Sequence, residues 1–239
     1  MNRIRILTAL IFLSALVFSA CCPNLAPPVR TSMHGMPGHI GGKEGEAAVS
    51  GSYYIAAIID VAPEITLGVT DHLAIETGTS TWVLDDNHTT MGHIGMRFTP
   101  IDAQKKKSVF ALDTGVGTGV GLGGMTSECG ITIPDPENPP QEDETQWYEH
   151  VAYGGYADVG LGWYFRERLG PFVRARFQLT EATMIPVTAW LTVVAGGHFS
   201  LWDIVELHIA GGGYYLHNDE FYAIGPLATA GFGLKFPVK

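Results

Sequence analysis

The sequence predicts an all-β fold, a single antiparallel up-and-down transmembrane β-barrel of about ten strands, with eight or twelve strands as alternatives. Three observations lead to this prediction. Apolar and polar residues alternate in steps of two, tight turns and longer loops alternate between the strand-like segments, and the apolar face carries almost no charge. Because a strand sends successive side chains to opposite faces, these segments should form a sheet with one apolar and one polar face.

The clearest alternation lies in Tyr156–Leu179. Near its end, Val173 and Phe177 fall on one face, whereas Arg174 and Arg176 fall on the other. Its first half alternates in the same way, and a charged turn at 166–170 separates the two halves. This pattern predicts an antiparallel hairpin, which could belong to a soluble sheet above a core or to a membrane barrel surrounded by lipid.

Segments of the same kind follow one another along the chain, and together with the two hairpin strands they number about ten. An even number is typical of bacterial single-chain barrels. The other predicted strands are Ala47–Ile59, Ile65–Val69, Leu73–Gly78, His93–Phe98, Ser108–Leu122, Leu191–Leu201, Glu206–Ile209 and Ala228–Phe236.

The connections sort onto two ends of the predicted barrel. Tight turns near residues 71, 103, 168 and 203 share one end, and both chain termini should lie there, on the periplasmic side. Asp60–Pro63 is expected to join the first two strands. The other end should carry the longer loops, which are Trp82–Thr90, Gly123–Gln146, Thr180–Pro186 and Asn218–Glu220.

The polar face contains mostly Gly, Ala and Thr, with a few charges of both signs. This composition suits a narrow, plugged lumen in which opposite walls neutralise one another, whereas a Lys or Arg facing mid-bilayer lipid would cost about 2–4 kcal/mol. His198 and His208 also face inward; they could bind a metal, but hydrogen bonding to Glu206 or Asp158 is the preferred interpretation. The predicted lumen charge network comprises Glu76, Arg97, Asp113, Asp158, Arg174, Arg176, Glu206, His208 and Lys235.

Aromatic residues cluster at the predicted strand ends, where they would form girdles at the two membrane interfaces. The Trp residues expected in these girdles are Trp82, Trp147, Trp163, Trp190 and Trp202.

The first residues have the order of a secretory signal. A basic start precedes an apolar run, Ile6–Phe18, that is too short for a membrane helix. The following Ser19-Ala20-Cys21 resembles the end of a bacterial lipoprotein signal, which implies cleavage after residue 20 and lipidation of Cys21; ordinary cleavage near Ala20 is the alternative. Residues 21–46, rich in Pro and Gly, are then expected to form a tether, and 47–239 the barrel.

The segment Gly123–Gln146 contains acidic residues and four prolines but no Lys or Arg, which predicts a solvated loop. Its carboxylates could bind a divalent cation or bridge such ions to lipopolysaccharide. The residues concerned are Glu128, Asp135, Glu137, Glu142, Asp143 and Glu144.

The formal net charge is −10, and it becomes −12 once Arg3 and Arg5 leave with the signal. Such an acidic chain excludes a basic nucleic-acid-binding surface. Polar loops near Asp85-Asp86 and His217 could place a carboxylate beside an imidazole for catalysis. Their spacing matches no catalytic motif, so we expect neither an enzyme nor a resident cofactor or metal.

Taken together, Ala47–Phe236 resembles the small bacterial outer-membrane β-barrel superfamily, and the final strand ends in an aromatic residue, Phe236. The resemblance implies a Gram-negative outer-membrane location and contact with the bilayer and the barrel-assembly machinery. The expected role is structural or interactive, through the outer loops. The alternatives are a soluble periplasmic lipocalin-like lipoprotein that binds an apolar ligand and, less favoured, a barrel hydrolase or a narrow pore.

Overall fold

The computed structural model describes residues 26–33, 40, 42–54, 58–84, 87–101, 110–126, 147–165, 169–183, 185–202, 204–219 and 222–238. Within them lie ten strands: β1 Glu44–Tyr54, β2 Ile58–Thr70, β3 Leu73–Leu84, β4 Asn87–Ile101, β5 Phe110–Thr126, β6 Trp147–Trp163, β7 Leu169–Ala182, β8 Ile185–Leu201, β9 Val205–His217 and β10 Tyr222–Pro237. No helix in this described part is long and apolar enough to cross a membrane.

The ten strands form one closed barrel in which every strand pairs antiparallel with its neighbours in sequence. β1 closes the ring, because Val49 lies opposite Pro63 of β2 on one side and Phe232 of β10 on the other. Closure pairs every edge strand and leaves no open ladder. The predicted ten-strand antiparallel up-and-down barrel is therefore confirmed.

The barrel has two distinct ends. At the turn end, Asp71 and His72 alone connect β2 to β3, and Trp202, with a left-handed φ of 53°, follows β8 in the turn to β9. The amide of Val238 donates to the carbonyl of Lys43 at 2.8 Å beside this end. The loop end carries the five connections β1–β2, β3–β4, β5–β6, β7–β8 and β9–β10.

Three predicted connections differ from the structure because the strands are longer than expected. Asp60–Pro63 lies within β2, where Asp60 points inward and Pro63 outward. The charge of Asp60 suggested a turn there. In this barrel, however, an inward strand position accommodates its carboxylate. Most of Trp82–Thr90 also belongs to β3 and β4, and Thr180–Pro186 is shortened by β7 and β8 in the same way.

The two faces of the sheet differ as the alternation predicted. Phe177, Leu191 and Phe232 are 47%, 42% and 49% exposed on the outside, whereas Arg174 and Arg176 are each only 1% exposed inside. This pattern continues around the barrel, where large apolar side chains are exposed on every strand and the buried residues include many polar and charged ones. The arginines are therefore directed into the lumen and the large apolar side chains away from it.

The prediction that every Trp side chain belongs to an outer aromatic girdle is wrong for Trp82 and Trp190. Trp163 and Trp202 are exposed near the turn end, but Trp82 and Trp190 are buried inside the barrel. Their rings meet edge to face, with centroids 6.4 Å apart. Both occupy inward positions in the alternation of exposed and buried residues along their strands. Their direction follows from that alternation and not from their position near a strand end.

Residues 26–33 do not behave as the tether expected for the Pro- and Gly-rich linker. Ala26, Val29 and Met33 are each at most 1% exposed and join apolar clusters with inward side chains of the barrel. We call this stretch, Ala26–Met33, the lumen segment. It lies inside the barrel, where inward side chains of several strands form hydrogen bonds with it.

Candidate functional site in the barrel interior

The middle of the lumen contains a closed cycle of two arginines and two aspartates from β4, β5, β6 and β7. Arg97 Nη1 donates to Asp113 Oδ1 and to Asp158 Oδ1, each at 3.1 Å. Arg174 donates from Nη1 to Asp158 Oδ1 and from Nη2 to Asp113 Oδ2, each at 3.0 Å. Charge-assisted bonds of this kind compensate the loss of hydration that buried ions suffer.

Arg176 extends this cycle toward Tyr156. Its Nε and Nη2 donate to Asp158 Oδ2 at 3.2 and 3.0 Å, and its Cζ lies 5.4 Å from the centroid of the Tyr156 ring. The Tyr156 hydroxyl donates to Glu76 Oε1 at 2.7 Å. Glu76 in turn accepts from Arg97 Nη2 at 2.9 Å, so the two parts of the network are joined.

The lumen segment supplies the remaining cation, Arg30. Its Nη2 pairs closely with Glu64 Oε1, its Nη1 pairs closely with Glu76 Oε1, and its Nε donates to Glu64 Oε2 at 3.1 Å. With Arg30 included, four guanidinium groups face four carboxylates: Arg30, Arg97, Arg174 and Arg176 against Glu64, Glu76, Asp113 and Asp158. Without Arg30 this set would carry one uncompensated negative charge.

A second polar cluster lies near the turn end around the buried carboxylate of Glu206. Lys235 Nζ is 3.0 Å from Glu206 Oε1, Ser200 Oγ donates to the same oxygen at 3.0 Å, and His198 Nε2 pairs closely with Oε2. His198 and His208 are directly opposite in the β8–β9 register, and both are buried. No group of three or more His, Cys, Asp or Glu side chains in the described ranges could hold a metal ion.

Aromatic side chains occupy the loop-end half of the lumen. Tyr54 and Tyr214 meet edge to face with centroids 5.3 Å apart, and Tyr214 lies 6.3 Å from Trp190. Trp190 also donates from Nε1 to the Ala26 carbonyl at 3.0 Å. These rings therefore pack against one another and against the start of the lumen segment.

Sequence reasoning missed several buried ionic residues that the barrel brings to this site. Asp60 and Glu64 were missed because Pro63 between them suggested a connection, and Glu46 because the start of its strand was placed three residues too late, at Ala47 instead of Glu44. Arg30 was missed because a Pro-rich stretch suggested a tether. The available signal was that Arg30 is the one Lys or Arg between Cys22 and Gly42.

Other predicted site residues lie outside the described part of the chain. These are Cys21 and the carboxylates Glu128, Asp135, Glu137, Glu142, Asp143 and Glu144, together with Asp85 and Asp86 of the catalytic hypothesis. His217 is described and exposed at the loop end. The cation-binding, lipidation and catalytic hypotheses therefore remain predictions from sequence.

Comparison with known proteins finds no matching family model and no matching curated protein. Solved structures with a related fold include the N-terminal β-barrel domain of Pseudomonas aeruginosa OprF, with 14% identity, 82% of this chain and 100% of that chain covered, and a TM-score of 0.40. The beta domain of the Bordetella autotransporter BrkA shows 9% identity, coverage of 82% and 100%, and a TM-score of 0.45. Pseudomonas aeruginosa OprG shows 8% identity, coverage of 85% and 100%, and a TM-score of 0.38.

Proposed function

We propose that this protein is an outer-membrane β-barrel with a plugged polar lumen and a structural or interaction role. The observation that carries the proposal is the exposed apolar surface that surrounds a closed barrel. Ile59, Ile94, Leu122, Phe177 and Ile209 point outward from five different strands and are each 45% exposed or more. A soluble protein rarely exposes a continuous apolar surface of this extent, whereas lipid is its natural solvent.

Strand lengths and aromatic positions support the same placement. The strands contain 11 to 17 residues, and about 9–11 tilted residues are enough to cross the hydrocarbon layer. Tyr53, Tyr215 and Tyr222 are exposed near the loop end, and Trp163 and Trp202 near the turn end. Aromatic residues at both ends of an apolar band are typical of the two membrane interfaces.

The soluble lipocalin-like alternative is not favoured. A barrel that binds an apolar ligand needs apolar side chains around a central cavity. Here the centre contains four arginines paired with four carboxylates, and Arg30 from the lumen segment lies among them. This filling supports a plugged interior and a role exercised by the loops.

The experiment for this proposal is folding of the full chain from urea into phospholipid vesicles. We expect a form that stays with the vesicles in flotation and migrates differently on gels before and after boiling. In the cell, the protein should fractionate with outer membranes. A chain that remains in the aqueous fraction, with the same migration before and after boiling, would contradict the proposal.

The finer parts of the proposal concern the loops and their partners. We propose that the assembly machinery recognises the last strand and that the acidic carboxylates of 123–146 meet divalent cations at the lipopolysaccharide surface. The role is non-catalytic, so substitution of Asp85, Asp86 or His217 should leave the protein's cellular effect unchanged. Loss of a hydrolytic activity on those substitutions would instead support the barrel hydrolase.

We also propose that Cys21 is lipidated, with the anchor on the loop-end side rather than the periplasmic side expected from strand counting. Ala26 bonds to Thr188 and Trp190 in the loop-end half of β8. Ala26 lies at the level of Trp190, and the chain from Cys21 to Ala26 spans at most about 18 Å. From Trp190 to Leu201, at the turn end of β8, the strand covers about 28 Å along the barrel axis at a tilt of about 40°. Cys21 therefore cannot reach the turn end. An epitope tag inserted after Cys22 should therefore be accessible on intact cells, and accessibility only after outer-membrane permeabilisation would restore the periplasmic placement.

A further inference from the structure

The lumen segment is held by the barrel in the way that a bound peptide is held, through its backbone as well as its side chains. Thr188 Oγ1 accepts from the Ala26 amide at 3.2 Å, and Trp190 Nε1 donates to the Ala26 carbonyl at 3.0 Å. Four residues later, Gln178 Oε1 accepts from the Arg30 amide at 2.9 Å. These contacts fix the position of the backbone at both points.

Arg176 adds a third attachment to the backbone of the lumen segment. Its Nη1 donates to the carbonyl oxygens of Arg30 and Ser32, at 3.1 and 2.6 Å. The same guanidinium is held by Asp158 through its other nitrogens. The barrel therefore presents a pre-positioned cation to two carbonyl groups of the segment.

The side chains of the segment meet complementary groups on β2 and β3. Thr31 Oγ1 donates to Asp60 Oδ2, Ser32 Oγ donates to Glu64 Oε2, and Arg30 pairs with both Glu64 and Glu76. The three carboxylates Asp60, Glu64 and Glu76 are at most 4% exposed. Each of them accepts from the Arg30-Thr31-Ser32 triplet: Asp60 from Thr31, Glu76 from Arg30, and Glu64 from both Arg30 and Ser32.

Val29 occupies a gap between two glycines on neighbouring strands. Gly119 of β5 lies directly opposite Gly154 of β6. A methyl group added at Gly119 would lie 2.7 Å from Val29 Cγ1, and one added at Gly154 would lie 2.8 Å from Cγ2. The same methyl groups would also lie 2.6 Å from the Gly92 carbonyl oxygen and 2.3 Å from the Leu179 carbonyl oxygen, so both the neighbouring strands and Val29 leave room only for glycine here.

Asp60, beside the triplet, has a buried oxygen without a hydrogen-bond partner among the residues that the structure describes. Asp60 accepts from Thr31 through Oδ2, but its Oδ1 is buried without a partner, and so is Nε1 of Trp82 opposite it in the β2–β3 register. A buried carboxylate oxygen with no donor is costly. The Asp60 site can therefore accept a further donor beyond the Thr31 hydroxyl.

We propose that the inner wall formed by β2, β3, β6, β7 and β8 is a peptide-recognition site and that Ala26–Met33 occupies it as a tethered, exchangeable ligand. The matching ligand class is a peptide with a small branched apolar residue, then Arg, then two hydroxyl residues. Recognition comes from the Glu64–Glu76 pair for the guanidinium, from Asp60 and Glu64 for the hydroxyls, and from Arg176 and Gln178 for the backbone. The proposal concerns contacts inside the barrel and does not depend on the membrane placement above.

The test cleaves the tether after the complete chain has folded. Residues 34–39 are replaced by a protease site, the full chain is refolded in detergent micelles, and the site is cut. A fluorescent synthetic peptide with the sequence Ala26–Met33 is then titrated and its anisotropy measured. We expect saturable exchange into the cut barrel and no uptake by the uncut protein, because the tether holds its own segment at a high effective concentration.

Two control peptides separate specific recognition from attraction to an acidic interior. The first carries the change Arg30→Gln, and the second has the same composition but exchanges the Arg with the following Thr. Both should bind at least about 100-fold more weakly, since a buried carboxylate pair would lose its cation. Retained folding of the cut barrel is monitored by its migration on unboiled gels.

Two outcomes would overturn the proposal. The first is binding of the exchanged-order peptide within about threefold of the native peptide, which would reduce the effect to net charge. The second is a cut barrel that stays folded and takes up none of the native peptide, because the segment would then be a permanent part of the fold.

Discussion

Arg30 is the residue on which the electrostatics of the lumen depend most. It pairs with Glu64 and Glu76, and in the described part of the chain the ionic contacts of Glu64 are with Arg30 and, at 3.9 Å, with His93. Removal of a buried cation leaves its partners uncompensated, which is costly even where the pair itself contributes little net stability. The effect of a substitution should therefore depend on whether the matching carboxylate is also removed.

We expect Arg30→Gln to lower the free energy of unfolding by about 3 kcal/mol, measured by urea titration of the vesicle-folded protein. The double variant Arg30→Gln/Glu64→Gln should recover part of this loss, because three guanidinium groups then face three carboxylates. Ser52→Ala, which removes a neutral buried bond to Thr229 of 3.2 Å, is the matched control and should cost about 1 kcal/mol. A double variant less stable than Arg30→Gln would contradict the charge-balance argument.

Gly95 of β4 leaves the space in which the Tyr156 hydroxyl lies. A methyl group at Gly95 would be 2.2 Å from the Tyr156 hydroxyl oxygen and 2.8 Å from the Val116 carbonyl oxygen. A methyl group at Gly197 would have no atom within 4 Å. The two glycines therefore form a matched pair that differs in the space available for one added carbon.

Gly95→Ala should destabilise the barrel by about 2 kcal/mol through overpacking, whereas Gly197→Ala should change stability by less than about 0.5 kcal/mol. Gly95→Ala should cost less in a Tyr156→Phe background than in the native chain, since the nearest atom, the Tyr156 hydroxyl oxygen, is then absent; Tyr156→Phe alone is the reference because it also removes the bond to Glu76. Equal effects of the two alanine substitutions in urea titrations would show that the position of Tyr156 does not constrain Gly95.

At the scale of elements, the lumen segment determines whether the barrel interior is filled or open. It bonds to inward side chains of β2, β3, β7 and β8 and places Arg30 beside Tyr156 of β6. If these eight residues were absent, Asp60, Glu64 and Glu76 would face the emptied space. The element thus controls both the size and the charge of the lumen.

Deletion of residues 26–33 should therefore convert a non-conducting barrel into one with small, cation-selective conductance in planar bilayers. The selectivity follows from Asp60, Glu64 and Glu76, which lose their partners in the segment, although Glu76 keeps its bonds to Arg97 and Tyr156. Arg30→Gln in the full chain serves as the second variant and should show brief openings, because it weakens the segment without removing it. A silent deletion variant that folds into vesicles would indicate that the remaining side chains fill the lumen unaided.

Alternation along the chain was sufficient to predict which way most strand residues point, since Arg97, Asp113, Asp158, Arg174 and Arg176 all lie inside. Strand ends were less predictable. Asp60 and Pro63 are turn-forming residues by local preference, but pairing with β1 extends β2 through both of them, and β3 also pairs with Asp60. The position of residues 26–33 was beyond local reasoning, because it is determined by contacts with strands about 30 to 160 residues away.

At the scale of the whole molecule, the proposed function places the outer apolar side chains against acyl chains, while the buried ions neutralise one another inside the barrel. Closure of β1 against β10 makes this division complete, because no strand edge is left to expose backbone groups to lipid. The outward aromatic residues near the two ends then mark the limits of the buried band. The proposed membrane insertion and the proposed plugged lumen both rest on the same alternation of side chains.

The direction in which the two faces of the sheet point is measured most directly by comparing spin labels at two adjacent positions on β8. Leu191 is exposed on the outer face and Thr192 is buried inside. The single variants Leu191→Cys and Thr192→Cys, with the native cysteines replaced by Ser, are labelled and folded into vesicles. We expect the label at 191 to collide with lipid-dissolved oxygen and the label at 192 not to; equal collision rates, or a higher rate at 192, would contradict the proposed orientation.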